Sequence, residues 1–346
     1  MNLDRKTTIN NKVIFVDGYV GGGKAMLSNI VSSIESVEMW AEFPRVEQIC
    51  NLHDMERISL EDSASLIRAW IDEATYNASL LRHANFRYKD QSSILRHNSK
   101  LSLLKRLLHS EGKESVTKFL NEERILSFQI HATSPYCKPI FRALKERLIY
   151  IRISRNPLTD YVVNHVGNWT ERWGNDFRSS MLTKKISSNS SNNSTIPFFI
   201  KNHEEYLGSN KYEKSVIVLE EWQNKGNELV DLMKEEYKAK IVEVPFEKFV
   251  FEPELYIKEI CDLIGVELGK ETYKEMKNQR VPRKSLADAP YLEYFHKSGW
   301  RNPDKHLSIK EEIEITEKNY KKLMSSDFLQ RLVKLKNDYL KRYKID

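Results

Sequence analysis

The stretch Lys12 to Ile34, KVIFVDGYVGGGKAMLSNIVSSI, limits what this chain can become more than any other. A β-branched apolar run, Val13 to Val16, enters a glycine loop, Gly18 to Gly23. The chain leaves that loop in a segment with apolar residues at helical spacing, Met26, Leu27, Ile30, Val31 and Ile34. That is strand, loop, helix. Glycines let several backbone N–H groups converge on one anion, and the helix that follows adds its unpaired first-turn N–H groups and the positive end of its dipole. Gly18, Gly23 and Lys24 match the spacing G-x-x-x-x-G-K of a phosphate-binding loop. Ala25 follows, where a kinase or nucleotide hydrolase places a Ser or Thr hydroxyl on magnesium. The loop keeps a phosphate cradle and loses the metal hook. A glycine-rich hairpin turn is the plainer reading, and the position between a buried-strand pattern and a helix argues against it. Lys24 argues the same way, because a cation at a helix start opposes the dipole unless an anion is present.

A chain of 346 residues holds one large or two ordinary domains. Forty per cent hydrophobic and 30% charged residues describe a globular protein. Lys and Arg outnumber Asp and Glu by 55 to 49, a net +6 that suits an anionic ligand but is too diffuse for nucleic acid. Cys50, Cys137 and Cys261 are odd in number and show no C-x-x-C spacing, so neither a disulfide framework nor a zinc site is expected. The opening MNLDRKTTINNK has no apolar signal core, and no window approaches the ~18 to 20 apolar residues of a membrane span. The expectation is a cytoplasmic protein without a transmembrane segment.

Further along, Val37 to Cys50 surrounds Pro44 with Trp40, Glu42, Phe43 and Arg45. In a parallel sheet the loops at the carboxyl ends of strands build the ligand crevice, so this segment is a candidate lining, with packing as the plainer reading. Glu61 to Leu81 has the period of an amphipathic helix lying on the core. Arg82 to Ile94 carries Arg82, His83, Arg87 and Lys89, either facing an anion or solvated. A basic helix over Ser99 to Ser110 should present a solvated face. Arg124 to Ile130 is strand-like and ends at His131, and Phe141 to Glu146 reads as helix. Leu148 to Ile153 is a second buried-strand signal, followed by Ser154, Arg155, Asn156 and Pro157. Pro157 suits the first turn of a helix, which would put Arg155 on the crevice side of the sheet.

SSNSSNNST, between Lys184 and Thr195, predicts a flexible polar loop within one domain. Lys214 to Tyr237 reads as helix, Lys240 to Val244 as strand and Pro253 to Leu263 as helix; Gln279 to Trp300 is irregular. Two helices from about residue 308 form a C-terminal extension. With no repeat, this alternation predicts an α/β fold with a parallel sheet flanked by helices, one domain over residues 1–346.

Three separated features together resemble the sulfotransferases that use 3′-phosphoadenosine 5′-phosphosulfate. One is the loop without a magnesium hydroxyl. The second is YIRISRNPLTDYVV, similar to the family's 3′-phosphate motif, a strand ending in Arg-Asn-Pro and running into a helix. The third is Ile241 to Leu268, similar to the family's strand, acidic-aromatic turn and helix. PRKS, Pro282 to Ser285, with Gly299 and Trp300, is similar to the basic motif that closes over the 3′-phosphate. The resemblance implies a P-loop-like sulfotransferase fold with extra C-terminal helices. It implies that Gly21, Gly22, Gly23, Lys24, Ala25 and Met26 hold the phosphosulfate, and that Arg155, with Arg283 and Lys284, binds the 3′-phosphate. Two positions depart from the family. Gly21 stands where many members carry Lys or Arg, and Val163 where they carry Ser, so that Asn164 or a neighbouring group would have to replace the hydroxyl.

Sulfuryl transfer needs a deprotonated acceptor, donors on the sulfonate oxygens and charge neutralisation on the leaving oxygen. His131 is the candidate base by its strand-end position, its imidazole pKa range and its family-like spacing from Arg155. Glu42 is the reserve base, and Lys24 is the catalytic cation. The implied donor is 3′-phosphoadenosine 5′-phosphosulfate with no metal, and the acceptor a hydroxyl or amine of a small molecule, a saccharide or a glycolipid, with no nucleic acid. Two rivals stand beside this reading. A P-loop kinase or nucleotide hydrolase would use VIVLEEW, Val216 to Trp222, as a strand carrying metal-binding acids. The other is a non-catalytic nucleotide-binding protein of the same fold.

Overall fold

Val13–Asp17 becomes the middle strand, β1, because Val13 to Val16 are apolar on both faces and can only be satisfied with both faces covered. The computed structural model describes residues 3–97, 100–108, 112–186, 194–286, 288–290 and 307–345. Around β1 lie β2 (Ala41–Glu42), β3 (Leu126–Gln129), β4 (Leu148–Ser154) and, after the hairpin strands β5 (Thr183–Ile186) and β6 (Ser194–Pro197), β7 (Lys240–Pro245). The main sheet has the order β2-β3-β1-β4-β7, and every pairing is parallel. The fold is therefore α/β with a parallel sheet between helices, as the alternation predicts.

Alternation along β1 sends Ile14 and Val16 to one face, where they meet Leu27, Ile30, Ile151 and Val242. That core is covered by helix α1 (Lys24–Ser32) and the helix Pro253–Ile264. Val13 and Phe15 point to the other face, against Phe128, Tyr150 and Phe141. There the cover is helix α2 (Pro44–Asp54), helix α3 (Leu60–Ser79) and the helices Lys138–Leu144 and Asp160–Thr170. The register Asp17 opposite Arg152 and Val16 opposite Gln129 brings the carboxyl ends of β1, β3 and β4 level. Three loops therefore leave the sheet side by side: the glycine loop, the turn at His131 and the turn at Arg155. Asp17 fixes that edge, accepting hydrogen bonds from the N–H groups of Thr133 (3.0 Å) and Ser134 (2.7 Å) and from the Tyr150 hydroxyl (2.8 Å).

Some sequence expectations need correction. The helix after Arg155 begins at Asp160 with Thr159 as its side-chain cap, so Pro157 lies in the preceding bend; Ser-Arg-Asn-Pro stays extended enough to leave the sheet before turning. The polar stretch near 184–195 is flanked by paired strands, Thr183 opposite Pro197 through Ile186 opposite Ser194, and residues 187–193 lie outside the described residues. The basic helix near residue 100 is an α-turn, Lys100–Leu104, continued as 3₁₀ to Leu108. Its Arg106 is buried and forked onto Glu38 at 2.9 Å, rather than solvated. Val216 to Glu220 lies in the helix Lys211–Glu220, not in a strand beside the loop. Glu220 there pairs with Arg331, which removes the metal-holding strand a kinase would need. Gly299 and Trp300 lie outside the described residues.

Candidate functional site

Gly23 adopts φ +96° as it caps α1, and no side chain caps that end. The left-handed backbone is open to glycine at little cost, and here space also demands it: a side-chain carbon on Gly23 would lie 2.7 Å from the Phe246 ring. The first-turn N–H groups of α1 thus face outward with neither a capping side chain nor an acidic residue in the turn. Lys24 folds back over the loop, its ammonium donating to the carbonyls of Gly18 (2.7 Å) and Tyr19 (3.1 Å). Burial pushes its pKa down to about 8, opposed by the negative charges of Asp17, Glu47 and Glu42.

At the end of β4, Arg155 is anchored by its backbone, whose N–H donates to the Tyr19 hydroxyl at 3.0 Å. Its guanidinium lies over the Phe246 ring at 4.2 Å and reaches the Gly21 carbonyl at 3.4 Å. Arg283 approaches the same ring at 5.5 Å. Burial first, then the positive charge of Arg155, pushes its pKa down to about 10. Among the described residues no carboxylate stands within ion-pair distance of either guanidinium, and the Nε atoms of both are buried without a hydrogen-bond partner. Two like charges around one ring, hydrogen-bonded to carbonyls and a thioether but held by no carboxylate at contact distance, are costly unless an anion completes them.

Across the crevice His131 follows β3 and meets α2. Glu47, buried in the first turn of α2, receives both the His131 backbone N–H (3.1 Å) and ring Nδ1 (2.9 Å). A carboxylate only accepts, so Nδ1 carries a proton and, in the neutral ring, Nε2 keeps its lone pair. The second Glu47 oxygen accepts from Ser180 Oγ at 3.1 Å. The His131 side chain is 33% exposed, open to a cavity of about 740 Å³. Trp169, Trp173, Trp222, Tyr136 and Phe198 form one wall of that cavity, and His165 sits between them and the glycine loop.

The cavity brings together Gly21, Gly23, Lys24, Ala25, Met26, Arg155, Arg283, His131 and Glu42, all named from the sequence. It does not bring in Gly22, Asn164 or Lys284. Asn164 instead donates inward to Asp160 (2.8 Å to Oδ1) and Tyr320 (2.9 Å), so its amide nitrogen is engaged away from the crevice. Trp40 is buried with its indole N–H on Asn29 at 2.7 Å, and Arg45 turns outward to Glu73. Glu47, His165 and the tryptophan wall escape sequence reasoning. Glu47 is 84 residues from its histidine, and only its place three residues into a Pro-started helix beside a strand end could have pointed to it.

The arrangement offers two anion seats, a glycine loop and an arginine pair, beside an imidazole with an available lone pair. Among solved structures the chain is similar to the sulfotransferase domain of the Synechococcus PCC 7002 olefin synthase, at 11% identity over 98% of each chain, with a TM-score of 0.45. It is also similar to the sulfotransferase domain from the curacin biosynthetic pathway, at 13% identity over 90% of this chain and 98% of that one, TM-score 0.40. A third is sulfotransferase STF1 from Mycobacterium tuberculosis H37Rv, at 12% identity over 84% and 77%, TM-score 0.37. No family model and no curated protein matches the sequence.

Proposed function

We propose that this protein is a sulfotransferase, moving a sulfuryl group from 3′-phosphoadenosine 5′-phosphosulfate to a hydroxyl or amine acceptor. The reading is carried by Arg155, buried, and Arg283, half-buried, two guanidiniums without a carboxylate at ion-pair distance among the described residues, set beside an uncapped glycine loop. A nucleotide with one anion on each side of its ribose matches two separated seats. The 5′-phosphosulfate lies on Gly21 to Met26 with Lys24 turned from its carbonyls onto the anion, and the 3′-phosphate lies on Arg155 and Arg283.

His131 takes the acceptor's proton on Nε2 as the acceptor oxygen attacks sulfur. The sulfur–oxygen bond to the phosphate breaks, and the electron pair leaves with that phosphate. Glu47 holds the tautomer and stabilises the imidazolium that forms. Glu42 lines the crevice as the reserve base. The tryptophan wall suits a saccharide acceptor, whose C–H faces pack against aromatic rings.

The test is thermal stabilisation by 3′,5′-ADP, the product of the donor. At a hundredfold excess over Kd a ligand adds about 2.7 kcal/mol, a clear upward shift in Tm. Arg155→Ala should weaken 3′,5′-ADP binding about 10- to 150-fold, the range of a charged hydrogen-bonded contact, and leave 5′-AMP nearly unaffected. Absence of any shift with wild-type protein, together with no transfer from labelled donor to a panel of hydroxylated saccharides, would overturn the reading.

A further inference from the structure

His165 faces the loop and has no part in the chemistry so far. It stands on the helix Asp160–Thr170, its Cβ 3.7 Å from where a side-chain carbon on Gly21 would be. Its ring packs 5.3 Å from Tyr161, the same ring that lies 5.1 Å from the Arg155 guanidinium. Trp169 fixes its chemistry: the indole N–H donates to His165 Nε2 at 3.3 Å. An indole nitrogen can only donate, so Nε2 is the acceptor and, in the neutral ring, Nδ1 carries the proton. Burial, then the positive charges of Lys24 and Arg172, pushes the pKa down to about 4, so the ring is neutral near pH 7. Among the described residues Nδ1 has no hydrogen-bond partner, and the residue lines the cavity with Lys24.

We propose that His165 donates a hydrogen bond from its Nδ1–H to an oxygen of the phosphosulfate seated on the glycine loop, supplying from the neighbouring helix a side-chain donor that Gly21 lacks. The inference rests on the reading that this loop holds the 5′ end of the donor. The two groups at this seat then differ in kind. Lys24 supplies charge, which water and salt attenuate, whereas His165 supplies a fixed, uncharged donor whose direction is set by the Trp169 indole and the Tyr161 ring. A preorganised neutral donor needs no reorganisation when charge moves onto the leaving phosphate oxygen.

The experiment compares isosteres in the full-length protein. An Asn amide nitrogen overlays Nδ1 of the imidazole it replaces, and a Gln amide nitrogen overlays Nε2. Affinities are measured for 3′,5′-ADP and for adenosine 3′-phosphate, and their ratio reads the 5′ seat alone. His165→Asn should keep that ratio within about threefold of wild type, whereas His165→Gln and His165→Phe should lower it about tenfold, as expected for a single donor to a charged acceptor. Equal ratios for Asn and Gln, or an unchanged ratio in His165→Phe, would overturn the inference and leave the loop reading intact. A wild-type ratio near one would overturn the loop reading, and the inference with it. A measurement without substitutions guards against unfolded variants. The His165 Nδ1 proton resonance should move downfield with 3′,5′-ADP and stay in place with adenosine 3′-phosphate; no movement with either counts against the proposal.

Discussion

A histidine with a buried carboxylate behind it differs from a histidine at a strand end. Glu47 sets which nitrogen of His131 holds the proton, so Glu47→Gln should lower kcat by about 10² to 10⁴, the upper figure being the loss when a catalytic imidazole is held in the wrong tautomer, while the 3′,5′-ADP affinity is unchanged. Lys24 gives a prediction with a sign. Its folded pKa is depressed from 10.5 to about 8, so below about pH 8 it is charged whether folded or not, and the burial penalty is fully present. Between 8 and 10.5 the unfolded chain binds more protons, so stability contributed at this site rises with pH, and Lys24→Met should remove that rise in urea titrations. Over the same interval wild-type affinity for 3′,5′-ADP should fall, and the Lys24→Met protein, weaker throughout, should show the smaller decline. The glycine loop and Arg155 were legible because their spacing is local. Arg283 was legible only through the resemblance of PRKS to a basic motif; its approach to the Phe246 ring is made by two segments about 37 residues apart in sequence.

At the scale of the element, the helix Ser326–Tyr343 turns out to belong to the site's foundation. Tyr339 donates to Glu247 and lies 3.3 Å from the Ser154 carbonyl, and Tyr343 donates to Ser154 Oγ at 3.2 Å. Glu247 in turn accepts the Asn156 N–H at 3.0 Å, so the residues on both sides of Arg155 are tied to this helix. Burial pushes the Glu247 carboxyl up, and the nearby Arg155 charge opposes that. Tyr339→Phe leaves Glu247 short of a donor in a dry site. It should cost about 1–3 kcal/mol in urea denaturation and weaken 3′,5′-ADP in parallel. Stability lost with affinity intact would make the helix a structural cover only. The sequence shows this helix plainly by its period, yet nothing local tells which element it packs on, since that depends on where β4 and β7 end. The β-branched run Val216 to Leu219 shows the converse. It suits a strand, but Asn210 and Glu213 build a capping box upstream, and the segment is buried as helix.

Taken whole, the molecule is a five-stranded parallel sheet with an apolar core on each face, and the candidate site residues gather where β1, β3 and β4 end together. That much follows from two buried-strand signals, Val13 to Val16 and Leu148 to Ile153, and the strand-like segment between them that ends at His131. What does not follow is the cavity wall, because Trp169, Trp173 and Trp222 meet only after the helices are packed. No helix among the described residues is long and apolar enough to cross a membrane. One side chain joins the two halves of the crevice. A side-chain carbon on Gly23 would meet the Phe246 ring at 2.7 Å, and the Arg155 and Arg283 guanidiniums lie 4.2 and 5.5 Å from the centre of that same ring. The glycine loop and the arginines therefore share a hinge pin: a change in the size of residue 246 reaches both at once.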